Sequence, residues 1–186
     1  LAVVLSQLPA DFPVPIVVVQ HMPPVFTQHL AMRLDQNCPL TVREAVQGEA
    51  LLPGRVLIAP GNFHVELRRF GTAVRIALQQ DVPENSCRPA VDVLFRSAAA
   101  IYGAHTTGVV LTGMGRDGLR GANEIVGHGG AVIAQDEATS VVWGMPHAVV
   151  EAGLAGAVLP LAAVPRELLR RVAVARRPSF VHQETL

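Results

Sequence analysis

Lysine is absent from this chain of 186 residues, whose fifteen basic side chains, all arginine, are balanced by fifteen acidic ones. Without a lysine amine, Schiff-base and pyridoxal-phosphate chemistry is excluded, and so is a Walker A loop, which needs lysine at the phosphates. The net charge is zero and aromatic residues make up only 4% of the chain. Such a composition offers no basic surface interleaved with aromatics, so we expect no nucleic-acid partner.

Metal-ligand and disulfide patterns are equally scarce. The two cysteines, Cys38 and Cys87, form no CxxC pair, and none of the seven histidines belongs to an HExxH motif. We therefore expect free thiols, no metal site and no cofactor. No apolar run approaches the roughly 18–20 residues of a membrane span, and no charged segment with a cleavage site precedes the first apolar stretch. These absences predict a cytoplasmic protein that does not insert into a membrane.

What the chain does contain is an alternation of strand-like and helix-like segments. Ile16–Val19 is a β-branched run typical of a parallel strand buried on both faces. His64–Arg69 and Ala73–Leu78 alternate in polarity around a glycine turn, as in a hairpin. We predict one α/β domain over residues 1–175, with a doubly wound, mostly parallel sheet and an attached antiparallel hairpin, and a tail of weak periodicity over 176–186. Further predicted strands are Leu40–Ala45, Arg55–Ala59, Thr107–Leu111, Ala131–Ala134 and Ala157–Leu159, and the clearest predicted helix is Pro89–Tyr102.

Two polar residues follow predicted strands and are candidates for a catalytic pair. His21 comes directly after Ile16–Val19, and Asp117 follows Thr107–Leu111 through a short glycine loop. The carboxyl ends of parallel strands line one crevice, so the two side chains are expected at the same sheet edge. An aspartate that holds one imidazole nitrogen leaves the other free as a general base. The plainer alternative is that each residue packs or caps a helix.

The glycine loop itself has a second interpretation. Gly113 to Gly118 matches G-x-G-x-x-G after a strand, and Asp136 ends the next strand, as in a dinucleotide-binding fingerprint. However, the carboxylate of Asp117 would stand where a pyrophosphate needs bare amide donors. A simple turn with a helix cap is the third alternative for this loop.

Longer motifs resemble one family over about Leu1 to Pro165. They are LPADFPVPIVVVQHMPPVFT, PGRVLIAPGNFHVEL, RPAVDVLFRSAA, GVVLTGMGRDGLRG and AVIAQDEATSVVWGMPHAVVEAG, in that order. The chain is similar to the catalytic domain of CheB-type chemotaxis receptor methylesterases. The resemblance implies hydrolysis of glutamyl methyl esters on the cytoplasmic helices of methylated chemoreceptors, with glutamine deamidation in some members, by a Ser-His-Asp triad. It also implies that His21 is the base, that Asp117 orients it, and that the Met114 amide belongs to the oxyanion hole.

The chain departs from this family at the nucleophile. The family's serine lies in a GxSTGG-type loop after its first strand, and neither appears in this sequence. The serines present are Ser6, Ser86, Ser97, Ser140 and Ser179, and none lies at that motif. We expect the strand and its serine upstream of residue 1, a gap in the sheet where the strand belongs, and a receiver domain further upstream as a partner. A non-catalytic module that binds receptors through the same fold remains the alternative.

A smaller departure lies around Arg88. The family commonly has histidine where Cys87 stands and serine where Ala90 stands. Arg88 is a candidate for substrate binding to an acidic receptor helix, with a solvated or ion-paired helix start as the alternative. Because no motif makes Cys87 adjacent to His21, we expect it to be a small buried filler.

Overall fold

The computed structural model describes residues 1–175, so the predicted tail at 176–186 lies outside the described residues. These residues form eight strands and six α-helices. The strands are β1 (Ile16–Val18), β2 (Thr41–Glu44), β3 (Arg55–Ile58), β4 (His64–Phe70), β5 (Ala73–Gln79), β6 (Thr107–Val110), β7 (Ala131–Gln135) and β8 (Ala157–Leu159). The helices are α1 (Ala2–Leu5), α2 (Phe26–Asp35), α3 (Val91–Tyr102), α4 (Leu119–Gly127), α5 (Met145–Glu151) and α6 (Val164–Ala175), with 3₁₀ turns at Gly103–His105 and Leu161–Ala163.

The strands form two parallel sheets and one hairpin. The first sheet has the order β1-β3-β2, the second has the order β6-β7-β8, and β4 and β5 pair antiparallel. In the first sheet Val56 is level with both Ile16 and Val42. In the second, Thr107 is level with Ala131. This architecture confirms the predicted α/β class with an attached hairpin, and it divides the parallel strands between two three-stranded sheets.

The strands at the centres of the two sheets are the most apolar. Val56, Leu57 and Ile58 in β3 are fully buried, as are Val132 and Ile133 in β7. A continuous apolar run is what a parallel strand needs when helices cover both of its faces. Ile16–Val19, predicted to be buried on both faces, packs into hydrophobic clusters on both faces, but these residues are only half-buried. The physical reason is that β1 is an edge strand, paired on one side only.

Strands β1 and β6 pack against the same two helices, α1 and α3, but no backbone hydrogen bonds join the two strands. On one face, Leu5 of α1 shares a hydrophobic cluster with Ile16 and Val18, and its neighbour Val4 shares another with Val109. On the opposite face, α3 packs against the alternate side chains of both strands. Within residues 1–175, β1 bonds only to β3 and β6 only to β7. We call the space between these two unpaired edges the β1/β6 slot.

Helices α3 and α4 approach closely at Gly121, which makes this contact testable. A Cβ at Gly121 would lie 2.4 Å from Cβ of Phe95 and 3.2 Å from backbone atoms of Asp92. The overpacking in Gly121→Ala should therefore lower the free energy of unfolding by about 1–3 kcal/mol. Gly127→Ala in the same helix is the control, since nothing lies within 4 Å of its added Cβ. It should be neutral, or stabilising by up to about 1 kcal/mol. Urea unfolding followed by circular dichroism checks both, and equal effects would contradict the close approach.

Candidate active site

His21 and Asp117 meet at the carboxyl ends of β1 and β6. The distance from His21 Nε2 to Asp117 Oδ2 is 2.7 Å, and the two side chains are 28% and 2% exposed. Because an ionised carboxylate can only accept, the imidazole donates from Nε2, and Nδ1 keeps its lone pair. Nδ1 has no hydrogen-bond partner among the described residues. The expected proximity of the two residues is thus present, with one ring nitrogen held and the other open.

The carboxylate of Asp117 is anchored by backbone amides as well as by the histidine. Oδ2 accepts from the amide of Val91 at 2.7 Å, and Oδ1 accepts from those of Asp92 at 3.1 Å and Gly118 at 3.0 Å. Val91 and Asp92 are the first two residues of α3, whose own N-cap residue, Ala90, has no side-chain acceptor. Asp117 therefore caps α3 from a different loop, where the positive end of the helix dipole favours a negative charge.

These contacts determine the protonation state of Asp117. Burial raises the pKa of this carboxyl, but the hydrogen bonds from His21 and from the amides of Val91 and Asp92 outweigh it and hold the pKa below its ordinary value. At neutral pH the group is therefore a carboxylate. A charged, fixed acceptor can both orient the imidazole and stabilise it when it gains a proton.

A second buried carboxylate, Asp92, lies beside Asp117, and Asn85 bridges the two. Nδ2 of Asn85 donates to Oδ2 of Asp92 at 2.8 Å and to Oδ1 of Asp117 at 3.0 Å. Burial raises the pKa of Asp92, and the nearby charge of Asp117 adds to this effect, while bonds from Gly121 and Asn85 oppose it. The bridging amide thus offsets the repulsion between two buried carboxyl groups.

Asn85 reaches this position from a tight turn. The backbones of Glu84 and Cys87 bond to each other in both directions, and Asn85 and Ser86 between them have φ values of 53° and 62°. Two central residues in the left-handed region are the mark of a type I′ turn, in which asparagine is tolerated better than most residues. Sequence reasoning missed both Asn85 and Asp92. The available signal was a carboxylate in the apolar stretch VDVLF.

The same turn places Cys87 beside the pair, so the expectation that Cys87 does not adjoin His21 was wrong. A ligand-capable atom of each of His21, Cys87 and Asp117 lies within 4.8 Å of those of the other two. Burial raises the pKa of the Cys87 thiol, and the negative charge of Asp117 raises it further. The thiol is therefore protonated at neutral pH. Linear motifs could not reveal this contact, because it depends on a turn of left-handed residues.

The glycine loop carries an unused amide. Gly113 donates to the carbonyl of Val142 at 3.0 Å, and the Met145 amide donates to the carbonyl of Gly113 at 2.8 Å, which braces the loop from both sides. The Met114 side chain is 81% exposed. Its backbone N–H donates to no other residue in the described part of the chain. An amide in this state can donate to an incoming oxyanion, which is the role that the resemblance implies.

The dinucleotide interpretation of this loop fits the structure less well. The Asp117 carboxylate accepts the Gly118 amide just before α4 begins, so it occupies the place where a pyrophosphate would bind. Asp136, the acidic residue of the fingerprint interpretation, accepts the amide of Thr139 within its own turn.

Arg88 lies at the rim of the site, but its guanidinium is engaged. It donates twice to Oδ1 of Asn62, at 3.2 and 2.7 Å, and to the carbonyls of Gln80 and Asp81 at 3.0 and 2.9 Å. These four bonds fix the loops that frame the site. Of the two alternatives for Arg88, this geometry supports a structural role, although with internal polar partners rather than an ion pair, and substrate binding stays a prediction.

An open depression gives access to the pair. It has a volume of about 520 Å³. Its lining comprises His21 with Met22, Pro23 and Pro24 on one side, and Asn62 with Ser86, Cys87, Arg88 and Pro89 on the other.

In the part of the chain that the structure describes, no helix has both the length and the apolar character that crossing a membrane requires. A His–Asp pair at the carboxyl ends of parallel strands is a layout that α/β hydrolytic enzymes use.

Comparison with known proteins identifies the family of the chain. The sequence profile of the CheB methylesterase family matches residues 1–168. The chain is 55% identical over 168 residues to a protein-glutamate methylesterase/protein-glutamine glutaminase of Trichodesmium erythraeum, covering 90% of this chain and 48% of that protein. It is 49% identical over 172 residues to the enzyme of the same name from Thermotoga maritima, covering 92% of this chain and 50% of the relative. The chain thus spans about half the length of these curated relatives.

A solved structure extends the likeness to three dimensions. The crystal structure of the Thermotoga maritima CheB methylesterase catalytic domain superposes with a TM-score of 0.90 at 49% identity, over 91% of this chain and 89% of that domain. The chain belongs to the CheB methylesterase family.

The role of Asn85 can be tested with a neighbour as control. Asn85→Gly keeps the left-handed backbone but removes the bridging amide, so Asp92 and Asp117 repel each other and each loses a donor. We expect a loss of about 1–3 kcal/mol in the free energy of unfolding. Ser86→Gly changes a residue in the same backbone conformation. Because glycine relieves strain there, this control should be neutral or slightly stabilising in the same urea titration. Equal losses would show that the turn, not the amide, matters.

The lowered pKa of Asp117 gives stability a definite dependence on pH. A carboxyl whose pKa is lower in the folded than in the unfolded state stabilises the protein above its unfolded pKa. That stability is lost as pH falls through the folded pKa. Asp117→Asn should therefore cost about 2–3 kcal/mol at pH 7, since hydrogen bonds to a charged acceptor are lost. The difference from wild type should shrink as urea titrations move below about pH 4. A difference independent of pH would contradict an ionised Asp117.

Proposed function

We propose that this chain is the catalytic domain of a protein-glutamate methylesterase, which hydrolyses glutamyl methyl esters on chemoreceptors by a Ser-His-Asp mechanism. The observation that carries the proposal is the buried Asp117 carboxylate bonded to one nitrogen of His21, while the other nitrogen is unpartnered within residues 1–175. The names of the relatives support the substrate class and add glutamine deamidation as a second reaction.

The nucleophilic serine, in this proposal, belongs to a segment that precedes residue 1. Its strand fills the β1/β6 slot, where two parallel edges have free backbone groups and where α1 and α3 already cover both faces. A parallel strand placed there ends at the same sheet edge as His21 and Asp117. The loop after it would present the serine to the open side of the imidazole.

The catalytic steps follow from this placement. Nδ1 of His21 accepts the serine proton while the serine oxygen attacks the ester carbonyl, and Asp117 stabilises the resulting imidazolium. The Met114 amide donates to the oxyanion that forms on the former carbonyl oxygen. Collapse expels methoxide, which takes the proton from His21 and leaves as methanol. Water then hydrolyses the acyl-serine by the same proton transfers, and a glutamine substrate releases ammonia in place of methanol.

The substrate is a methylated glutamate on a cytoplasmic receptor helix, which accords with a cytoplasmic location for the enzyme. The catalytic pair is reached through an open depression rather than a closed cavity. Such an opening suits a side chain presented by another protein, because a folded helix can approach it without unfolding. A receiver domain upstream remains the predicted regulatory partner.

Labelling with a fluorophosphonate tests the proposal on the full-length protein, because this probe traps activated serines. We expect one adduct on the wild type, located N-terminal to residue 1. His21→Ala should lower labelling and methanol release by about 10⁴-fold or more. His29→Ala, an exposed histidine on α2, is the matched control and should match wild type. Full labelling of His21→Ala would exclude His21 as the base. No adduct on any full-length protein would favour the receptor-binding module.

A further inference from the structure

Three different metal-ligating side chains lie close together at the depression, which His21 and Cys87 line. An imidazole nitrogen of His21, the thiol sulfur of Cys87 and a carboxylate oxygen of Asp117 all lie within 4.8 Å of one another. This is the one such group of three or more in residues 1–175. Sulfur, nitrogen and carboxylate oxygen together are the donor set of Zn²⁺, whereas Mg²⁺ and Ca²⁺ prefer oxygen alone.

The separations are close to those of a tetrahedral zinc site. Zinc bond lengths of about 2.0–2.3 Å place neighbouring ligand atoms about 3.3–3.6 Å apart. The His21–Asp117 contact, now 2.7 Å, would open by about 0.6 Å, and the sulfur, which lies no more than 4.8 Å from either partner, would close by about 1 Å at most. Asp117 is held by three backbone amides. Both movements therefore fall on His21 and Cys87, which lie in loops.

The cluster is open on one side, which permits an ion to enter. The His21 side chain is 28% exposed, whereas that of Asp117 is 2% exposed, so the approach runs past the imidazole from the depression. Three protein ligands leave a fourth tetrahedral position for water. Structural zinc sites are closed by four protein ligands, so an ion here would be exchangeable.

We propose that His21, Cys87 and Asp117 bind one Zn²⁺ ion reversibly, and that this ion inhibits the enzyme by occupying its general base. The inhibition rests on the proposed function, but the binding does not. Cys87 supplies the thiolate that makes the site selective for zinc over magnesium. An ion shared by His21 and Asp117 replaces the hydrogen at Nε2, and the displaced proton then occupies the Nδ1 lone pair that would accept the serine proton.

Zinc binding changes the protonation of two of the three ligands. Coordination by sulfur requires a thiolate, so the Cys87 thiol releases its proton to solvent. If Nε2 of His21 binds the ion, its proton moves to Nδ1 through solvent, and the ring stays neutral. Asp117 is already ionised and releases nothing. One proton therefore leaves for each ion bound, and dilution with a chelator reverses the reaction.

Cobalt(II) is the probe for binding, because it adopts tetrahedral zinc sites and shows a near-ultraviolet charge-transfer band only with a thiolate ligand. We expect this band in the full-length wild type under anaerobic conditions, with loss of the band on adding equimolar Zn²⁺. Cys87→Ser should abolish the band and weaken Zn²⁺ binding by about 100-fold or more. Cys38→Ser is the matched control, since Cys38 is the other half-buried free cysteine. Its band and affinity should match wild type.

Histidine variants complete the ligand test. His21→Ala should weaken cobalt binding, and His29→Ala should not. A wild type without the band, a band that survives Cys87→Ser, or one lost in Cys38→Ser would overturn the site.

Inhibition is measured separately, as methanol release in Zn²⁺ relative to each variant's own metal-free rate. Wild type and Cys38→Ser should be inhibited at the concentrations that displace cobalt, and Cys87→Ser should need about 100-fold more. A cobalt band without any methanol release would refute the proposed function and leave the metal site standing. Binding without inhibition would refute only the inhibitory role.

Discussion

The cap that Asp117 places on α3 is the interaction on which the site depends. One carboxylate satisfies the first two amides of a helix that has no cap of its own, and it holds the imidazole of His21 at the same time. The helix covers the hydrophobic faces of both parallel sheets. Folding of this region and orientation of the proposed base therefore draw on the same charged group.

This arrangement holds Asp117 in place although it lies in a loop. The backbone amides fix Asp117 regardless of what His21 does, and Asn85 fixes the spacing to Asp92. A base held by a preorganised acceptor needs little rearrangement when it gains a proton. The same arrangement buries a second carboxyl group, that of Asp92, whose pKa is raised by burial and by the neighbouring charge of Asp117.

Much of the fold could be predicted because it depends on local patterns. The apolar runs of β3 and β7, the alternation in the hairpin and the face of α3 follow from side-chain periodicity, and His21 and Asp117 could be placed at one edge by the topology of parallel strands. Asn85, Asp92 and Cys87 could not be placed, since their contacts depend on a left-handed turn that packs against α3. The half-buried state of β1 was also missed, because burial depends on which strand lies beside it.

The β1/β6 slot has a consequence for behaviour in solution. The edges of β1 and β6 carry half-buried valine and isoleucine side chains. An unpaired edge of this kind is a template for pairing with an extended chain. With a net charge of zero, the protein lacks the electrostatic repulsion that keeps such edges apart in highly charged proteins. A strand that occupies the slot pairs both edges at once and so removes this route to association between copies.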